Sequence, residues 1–243
     1  MGNKKIVVGN MKMNLTAEEI SDYLKEINCQ VGSNRVVICP TSIYIPYFLK
    51  QDYLVGLQNT FLHESGAYTG EISPKQAASM GIAVTIIGHS ERRMYFDEKD
   101  KLINEKVKEA IKQNLRVILC IGETAEERNM MRTEKVLRKQ ILGGLRGLEK
   151  DMFDNVILAY EPIWAIGTGE VPTNEEITKT IGYIKSLVLE IYNYESIPVL
   201  YGGSVTDKNI KELNKIPNVS GFLVGGASTK PKKFLKIIEV AVK

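Results

Sequence analysis

The stretch that decides the fold is VILAYEPIWAIGTGEVPTNEEITKTIGYIKSLVLEIY, residues 156–192. It starts with a continuous apolar run, Val156–Ala159, which is typical of a strand buried on both faces of a parallel sheet. It ends with an amphipathic segment, Thr173–Tyr192, whose first residues Thr-Asn-Glu-Glu form the capping-box pattern of a helix start. A lone carboxylate, Glu161, and a loop with two glycines lie between them. The stretch therefore predicts a strand–loop–helix unit with a polar group at the end of the strand.

Similar units recur from one end of the chain to the other. The predicted strands are Ile6–Gly9, Val36–Cys39, Leu54–Leu57, Val84–Ile87, Val117–Ile121, Val156–Ala159, Val199–Tyr201 and Gly221–Val224. Alternation of strands and helices indicates a parallel sheet, either open and doubly wound or closed into a barrel. The first strand is followed by Asn-Met-Lys rather than by GxGxxG, and about eight repeats fit the closed barrel. We therefore predict an α/β fold, a (β/α)8 barrel that forms one single domain over residues 1–243.

The composition is that of an ordinary globular protein and argues against several classes. The 243 residues carry a formal net charge of +3, which is too small and too evenly spread for nucleic-acid binding. No apolar run approaches the length of a membrane span, and the N-terminus lacks the apolar core of a secretory signal. Cys29, Cys39 and Cys120 lie far apart, which argues against a disulfide framework or a zinc site. We expect a soluble, cytoplasmic protein with reduced thiols that binds neither nucleic acid nor a membrane.

Polar residues follow several of the predicted strands. Asn10 and Lys12 come after the first strand, His89 after the fourth and Glu161 after the sixth. A barrel has its active site at the carboxyl ends of the strands, so these side chains are expected on one rim. Each has a plain alternative: a surface lysine, a structural histidine, or a carboxylate paired with a lysine. The apolar neighbours of Glu161, among them Trp164, are expected to raise its pKa toward that of a general base.

Glycines after the last two strands indicate a phosphate site. Gly202-Gly203-Ser204 follows the seventh strand, and Gly225-Gly226 follows the eighth. Glycine lets the backbone approach an anion closely, and barrels frequently bind phosphate at these two loops. With Glu161, His89 and Lys12, these loops predict proton abstraction beside a carbonyl of a small phosphorylated molecule, without a metal or another cofactor.

Eight motifs, in order along nearly the whole chain, carry a family resemblance. They are GNMKMN (9–14), QN (58–59), GAYTGE (66–71), GHSERR (88–93), CIGET (120–124), AYEPIWAIGTG (159–169), YGGSV (201–205) and GFLVGGAS (221–228). With these motifs the chain closely resembles the triosephosphate isomerases, a family that is itself a familiar example of pKa tuning and lid closure. The resemblance implies the TIM-barrel fold and the interconversion of dihydroxyacetone phosphate and glyceraldehyde 3-phosphate, in glycolysis and gluconeogenesis and without a cofactor.

The resemblance also implies a role for each site residue. Glu161 would transfer the proton, and His89 would polarise the carbonyl as a neutral imidazole. Lys12 would stabilise the enediolate, and Asn10 would orient the substrate. The residues that bind substrate and phosphate would be Asn10, Lys12, Gly167, Ser204, Leu223, Gly225 and Gly226. The residues that support Glu161 or form the lid would be Glu91, Cys120, Pro162, Trp164, Ile166 and Tyr201.

The stretch GAYTGE resembles a loop that inserts into a second subunit in this family. Thr69 would enter the partner's pocket beside Asn10 and Lys12, with Gln58 and Glu98 nearby. The resemblance therefore implies a homodimer, or a higher oligomer.

Two residues depart from the family pattern. Met11 stands where the family usually has tryptophan, and because methionine is adaptable we expect repacking with little loss of activity. Pro172 stands at the far hinge of the lid, where the family commonly has alanine. In the family, the N–H at this place donates to the hydroxyl at the position of Tyr201 when the lid is shut. Proline has no N–H, so we expect a stiffer hinge and a changed population of the closed lid.

Two other functions compete with the isomerase. A barrel that acts on a larger sugar phosphate would need an open pocket rather than a complete lid motif. A catalytically silent barrel that binds a metabolite or a partner protein would be favoured by loss of Glu161, His89 or Lys12, and all three are present.

Overall fold

Eight parallel strands pair side by side and close into a barrel in a computed structural model, which describes residues 4–28 and 30–242. The strands are β1 (Ile6–Asn10), β2 (Ser33–Cys39), β3 (Tyr53–Leu57), β4 (Val84–Ile87), β5 (Arg116–Ile121), β6 (Val156–Tyr160), β7 (Val199–Tyr201) and β8 (Gly221–Val224). Their order around the barrel follows the chain, and β1 closes the ring by pairing with β8. The predicted strands are confirmed, with the largest difference at β2, which begins at Ser33 rather than at Val36.

At least one helix follows each strand, so the predicted (β/α)8 barrel is confirmed. Within the described residues the helices are α1 (Ala17–Ile27), α2 (Ile45–Phe48), α3 (Pro74–Ser79), α4 (Ser90–Tyr95), α5 (Asp100–Lys112), α6 (Ala125–Asn129), α7 (Thr133–Gly144), α8 (Asn174–Tyr192), α9 (Ile210–Leu213) and α10 (Pro231–Val242). Short 3-10 helices lie at Ser42–Tyr44, Lys150–Asn155, Ile163–Ala165 and Gly226–Thr229. Helix α4 begins directly after His89, where only polar residues are identified from the sequence after the fourth strand.

Two apolar clusters hold the barrel together, because its strands are buried on both faces. The smaller cluster fills the barrel and contains Val8, Val37, Cys39, Val84, Ile86, Ile118, Cys120, Ile157, Ala159, Leu200 and Leu223. The larger cluster lies between the barrel and its helices and includes Phe48, Phe153 and Phe234. Successive residues of a strand face opposite sides, so both clusters draw on the same strands and the runs are continuously apolar. Met11 is fully buried in the larger cluster.

The helix starts follow from the sequence. At α8 the Thr173 hydroxyl accepts the backbone N–H of Glu176, and the Glu176 carboxylate accepts the N–H of Thr173 at 2.7 Å. Helix α1 begins with the same reciprocal pair, made by Thr16 and Glu19. These caps satisfy backbone N–H groups that have no partner inside the first turn.

The ring closes at a glycine. Gly221 begins β8 and pairs with Ile6 of β1. A Cβ atom at Gly221 would lie 2.0 Å from the carbonyl oxygen of Ile6. The close approach of β1 and β8 therefore requires a residue without a side chain.

The thiols that the structure describes are buried. Cys39 and Cys120 are free, and burial raises the pKa of both above the ordinary value, which makes them poor nucleophiles. Cys29 lies outside the described residues. Among the helices of the described ranges, none has the length and apolar character needed to cross a membrane.

Candidate active site

The carboxyl ends of the strands surround a cavity of about 220 Å³. The structure places on its wall every residue that the sequence predicts for catalysis or phosphate binding, namely Asn10, Lys12, His89, Glu161, Gly167, Ser204, Leu223, Gly225 and Gly226. These residues follow or end strands far apart in the sequence. The barrel therefore brings them together, because its strands are parallel and all end on the same rim.

Lys12 reaches the cavity from a strained backbone. Its φ of 53° lies in a region that residues with a side chain seldom adopt. The Lys12 N–H donates to Asn10 Oδ1 at 3.0 Å, and the Lys12 carbonyl accepts from Gln58 Nε2 at 2.8 Å and from Thr41 Oγ1 at 3.0 Å. These hydrogen bonds hold the strained conformation, as is common at functional sites. At the other end of the side chain, Nζ pairs with Glu91 Oε1 at 2.6 Å.

A carboxylate and an imidazole face each other in the cavity. Glu161 follows β6 and His89 follows β4, and Glu161 Oε1 lies 3.0 Å from His89 Nε2. Both side chains are almost fully buried, at 3% and 6% exposure. The backbone N–H of Ser90 donates to the other carboxylate oxygen, Oε2, at 3.2 Å. Glu161 is thus held by a side chain and a backbone group from the same turn after β4.

The pKa of Glu161 contradicts the expectation from the sequence. Burial acts to raise the pKa of Glu161, but the charge and hydrogen bond of His89, the N–H of Ser90 and the charge of Lys12 together hold it below its ordinary value. The expectation of a raised pKa is therefore wrong for this arrangement. Burial also acts to lower the pKa of His89, but the charge and hydrogen bond of Glu161 raise it above its ordinary value. Glu161 is ionised while it faces His89.

The imidazole has a defined proton position. His89 caps α4, and its Nδ1 accepts the backbone N–H of Glu91 at 3.3 Å. A ring nitrogen that accepts a hydrogen bond carries no proton, so the proton of the ring lies on Nε2. The Nε2–H group points toward Glu161 and can donate to an oxygen in the cavity.

The turn after β5 presses against Glu161. A Cβ atom at Gly122 would lie 1.7 Å from the carbonyl oxygen of Glu161, so only glycine fits there. The N–H of Glu161 donates to the carbonyl of Ile121 at 2.8 Å. Cys120, predicted as a neighbour of Glu161, is fully buried beside its carboxylate. The turn after β5 therefore fixes the backbone of Glu161.

The segment after Glu161 is tethered at its start. The indole N–H of Trp164 donates to Glu123 Oε1 at 2.9 Å, and the guanidinium of Arg128 lies 3.8 Å from the centre of the indole ring. Pro162 precedes the 3-10 helix that contains Trp164. Further along, Ile166 and Gly167 reach the cavity wall. The predicted lid thus has an anchored start and a tip that lines the cavity.

Sequence reasoning missed the residues that anchor this segment. Glu123 Oε1 accepts from Trp164 and also from the hydroxyl of Tyr160 at 3.1 Å. The motif CIGET contains Glu123, which was the only signal for it, and nothing in the sequence singled out Arg128.

Tyr201 lies beneath the phosphate-side loop with an unpaired hydroxyl. The residue is fully buried, and its hydroxyl has no hydrogen-bond partner among residues 4–28 and 30–242. A Cβ atom at Gly203 would lie 2.2 Å from this hydroxyl. Pro172, at the far end of the lid, offers it no N–H donor.

Of the three residues predicted near a subunit interface, Gln58 and Glu98 contact their own chain, whereas Thr69 is exposed. Gln58 holds the backbone of Lys12 within its own chain. Glu98 is buried and accepts from Arg92 Nε at 2.6 Å and from Lys106 Nζ at 2.5 Å. Thr69 is exposed on a loop and does not line the cavity of its own chain. The single chain therefore does not bring Thr69 to Lys12.

The loops after β7 and β8 supply backbone donors to the cavity wall. The N–H groups of Gly203, Ser204 and Gly225 have no acceptor within the described part of the chain. Free backbone N–H groups next to glycine form concave sites suited to an anion. Across the same residues, no group of three or more His, Cys, Asp or Glu side chains is arranged to hold a metal ion.

Comparison with known proteins agrees with this geometry. A sequence profile of triosephosphate isomerase matches residues 5–241. The chain is 45% identical to triosephosphate isomerase of Clostridium botulinum (strain Okra), over 96% of this chain and 98% of the relative. The corresponding protein of Alkaliphilus oremlandii is 44% identical, over 97% and 98%. That of Dictyoglomus thermophilum is 42% identical, over 97% and 99%. The chain therefore belongs to the triosephosphate isomerase family.

Proposed function

We propose that the protein interconverts dihydroxyacetone phosphate and D-glyceraldehyde 3-phosphate, a step of glycolysis and gluconeogenesis. The observation that carries this proposal is the buried carboxylate of Glu161 against the imidazole of His89, in one cavity with Lys12 and with free backbone N–H groups. A cavity of about 220 Å³ suits a triose phosphate better than a longer sugar phosphate. Membership of the family supports the same reaction.

Glu161 acts as the base in this proposal. Its carboxylate takes a proton from C1 of dihydroxyacetone phosphate, which leaves an enediolate, and returns a proton to C2 to give the aldehyde. To do so, the side chain must turn from His89 and Ser90 toward the substrate. It then loses the contacts that lower its pKa, while burial, which raises the pKa, remains. The carboxylate therefore becomes more basic as it comes into use.

His89 acts on the oxygens. Its Nε2–H donates to the substrate carbonyl and then moves protons between O1 and O2 of the enediolate. When Glu161 turns away, the buried ring loses the negative charge that raised its pKa, and burial favours the neutral form. The ring therefore remains a neutral donor while it acts on the substrate.

Lys12 and the backbone donors bind charge. The ammonium group of Lys12 stabilises the enediolate oxygen and attracts the phosphate, and Asn10 helps to orient the substrate. The phosphate lies against the backbone N–H groups of Gly167, Ser204, Gly225 and Gly226 and beside Leu223. Closure of the lid, which contains Trp164 and Ile166, over the substrate excludes water, which strengthens these interactions and protects the enediolate.

The test of this function is a coupled assay of glyceraldehyde 3-phosphate turnover by the purified protein. Rapid conversion to dihydroxyacetone phosphate is the expected result. Failure of a folded protein to turn over the substrate would contradict the proposal and favour a catalytically silent barrel.

We expect Pro172→Ala to change the motion of the lid. Alanine supplies an N–H that can donate to the unpaired hydroxyl of Tyr201 when the lid shuts. One such hydrogen bond contributes about 0.5–1.5 kcal/mol, so the ratio of closed to open lid should rise about 2- to 10-fold. NMR relaxation dispersion on the lid residues measures this ratio. The double variant Pro172→Ala/Tyr201→Phe should lose the gain, and identical exchange in wild type and Pro172→Ala would refute the idea.

The exposed apolar side chains support a homodimer. Large apolar side chains that follow β1 and β4 are exposed to solvent: Met13 is 92% exposed, Tyr95 73% and Phe96 63%. Ile43, Tyr47, Tyr68 and Met94 are also exposed. All of them follow one of the strands β1 to β4, which are neighbours in the barrel, and a large apolar surface in one region marks a site of protein–protein contact. A second copy that covers them would place its Thr69 beside Asn10 and Lys12.

Thr69→Arg is expected to produce a monomer with at least tenfold lower turnover. The larger, charged side chain would have to enter the partner's pocket beside Lys12, where like charges repel. Sedimentation velocity at micromolar concentration, together with the coupled assay, measures both effects. Ser186→Arg, an equal change on the exposed face of α8, is the control and should leave both unchanged. A dimeric and fully active Thr69→Arg protein would exclude this placement.

The remaining parts of the proposal concern the whole chain. We infer one single domain over residues 1–243, since the barrel closes with β8 against β1. We also place the protein in the cytoplasm, where the substrates of this reaction occur.

A further inference from the structure

The opposite face of the barrel holds a second and larger cavity, which we call the basal cavity. It lies where β1, β7 and β8 begin, and its volume is about 620 Å³, against about 220 Å³ for the candidate active site. This volume is typical of sites for small organic ligands. No step of the proposed reaction uses the basal cavity.

Positive charge dominates the basal cavity. Four cationic side chains and one carboxylate line it: Lys4, Lys5, Arg35, Lys185 and Glu195. Lys25 and Lys215, elsewhere on the surface, each have a carboxylate at 2.8 Å. Among the described residues, none of the four cations of the basal cavity has such a partner. The excess positive charge is therefore left for an anion from outside the chain.

Lys5 is the most deeply buried of these four cations and so has the greatest need of a partner. The residue is only 9% exposed, and its Nζ donates to a single acceptor, the carbonyl of Ile216 at 3.3 Å, although an ammonium has three donors. Burial, and then the charge of Lys185, lower the pKa of Lys5. Burial also lowers the pKa of Lys185. Among the described residues, the ring of Phe222 also lies 5.6 Å from Lys5 Nζ. Two partly buried ammonium groups that repel each other are still costly, and an anion between them would remove that cost.

Arg35 adds phosphate-binding groups to the basal cavity. The guanidinium of Arg35 donates to the carbonyl of Lys4 at 2.7 Å and has further N–H groups to offer. Guanidinium groups bind phosphate oxygens in a bidentate manner.

We propose that the basal cavity binds a small organic molecule with two or more phosphate groups, held by Lys5, Lys185 and Arg35. Lys5 directly precedes β1, Lys185 lies in α8 and Arg35 lies in β2, so one compact phosphate would reach fewer of them than an extended polyphosphate. This site is separate from the proposed reaction and does not depend on it.

Isothermal titration with inorganic tripolyphosphate tests the proposal. The wild type is compared with Arg35→Gln/Lys185→Gln, which removes two positive charges from the basal cavity. The control Lys135→Gln/Lys139→Gln removes two charges from exposed lysines of α7. Any binding at the candidate active site is common to all three proteins, so the difference between them reports the basal cavity.

The expected result is a binding event in the wild type and the control that weakens at least tenfold in Arg35→Gln/Lys185→Gln. Orthophosphate should bind this site at least tenfold more weakly than tripolyphosphate. Thermal unfolding of each protein verifies that the exposed substitutions leave the fold intact. Equal tripolyphosphate binding by all three proteins, or absence of binding beyond the candidate active site, would overturn the proposal.

Discussion

Glu161→Gln is expected to lower turnover by about 10²- to 10⁴-fold with little change in KM, the usual loss when a general base is removed. Glutamine has the size of glutamate and keeps an oxygen that can accept the N–H of Ser90, which lies 3.2 Å from Glu161 Oε2. The amide does not take a proton from carbon at neutral pH, so the reaction loses its base while the cavity keeps its shape. The coupled assay with glyceraldehyde 3-phosphate gives both constants.

Glu161→Asp is the companion variant. It keeps a carboxylate but sets it back by one methylene, and a misplacement of about 1 Å can cost about 10²-fold in rate. Because Glu161 is buried, thermal unfolding of the three proteins is measured alongside to show that each is folded. Turnover of Glu161→Gln within tenfold of the wild type would contradict the role of Glu161 as the base.

The fold could be predicted from the sequence because buried strands leave a clear pattern of apolar residues. A parallel strand covered on both faces must be apolar at every position, and Val156–Tyr160 is fully buried. The helix starts at Thr16 and Thr173 could be predicted because a capping box is a local pattern of four residues. Helix α4, Ser90–Tyr95, was missed because six residues are too few to show a helical period.

The contacts between side chains in the candidate site could not be predicted from the sequence in this way. Lys12 and Glu91 are separated by many residues of sequence, and no periodicity marks them as partners at 2.6 Å. The anchoring of Trp164 by Glu123 and Arg128 depends equally on how β5 and β6 lie side by side. Motifs indicated which residues line the cavity, whereas the distances between them follow from the closed barrel.

The pKa of Glu161 could not be predicted from the sequence for the same reason. Its neighbours along the chain, such as Pro162 and Trp164, are apolar and suggested a raised pKa. Its neighbours in space are His89, Ser90 and Lys12, which lower it. A pKa depends on the groups within a few ångströms of the carboxylate, and sequence order does not give them.

Lys12→Met is expected to lower turnover by about 10²- to 10³-fold, the usual loss of a group that stabilises an oxyanion. KM should rise as well, because the ammonium also attracts the phosphate. Methionine matches the length of the lysine stem, so packing around the strained backbone at φ 53° is retained. Steady-state kinetics in both directions measures the effect, and Lys12→Arg, which keeps the charge, should retain more activity than Lys12→Met.

A second variant distinguishes two explanations for the loss of turnover in Lys12→Met. Lys12 Nζ pairs with Glu91 Oε1 at 2.6 Å, and the other oxygen of Glu91 lies 3.6 Å from His89 Nδ1. Removal of Lys12 leaves this carboxylate uncompensated, which would favour a charged imidazole and so impair His89. If the cation itself stabilises the enediolate, Lys12→Met/Glu91→Gln should stay as slow as Lys12→Met. Recovery of turnover in the double variant would instead assign the loss to the unpaired charge of Glu91, and Lys12 would then act by positioning its neighbours rather than on the substrate.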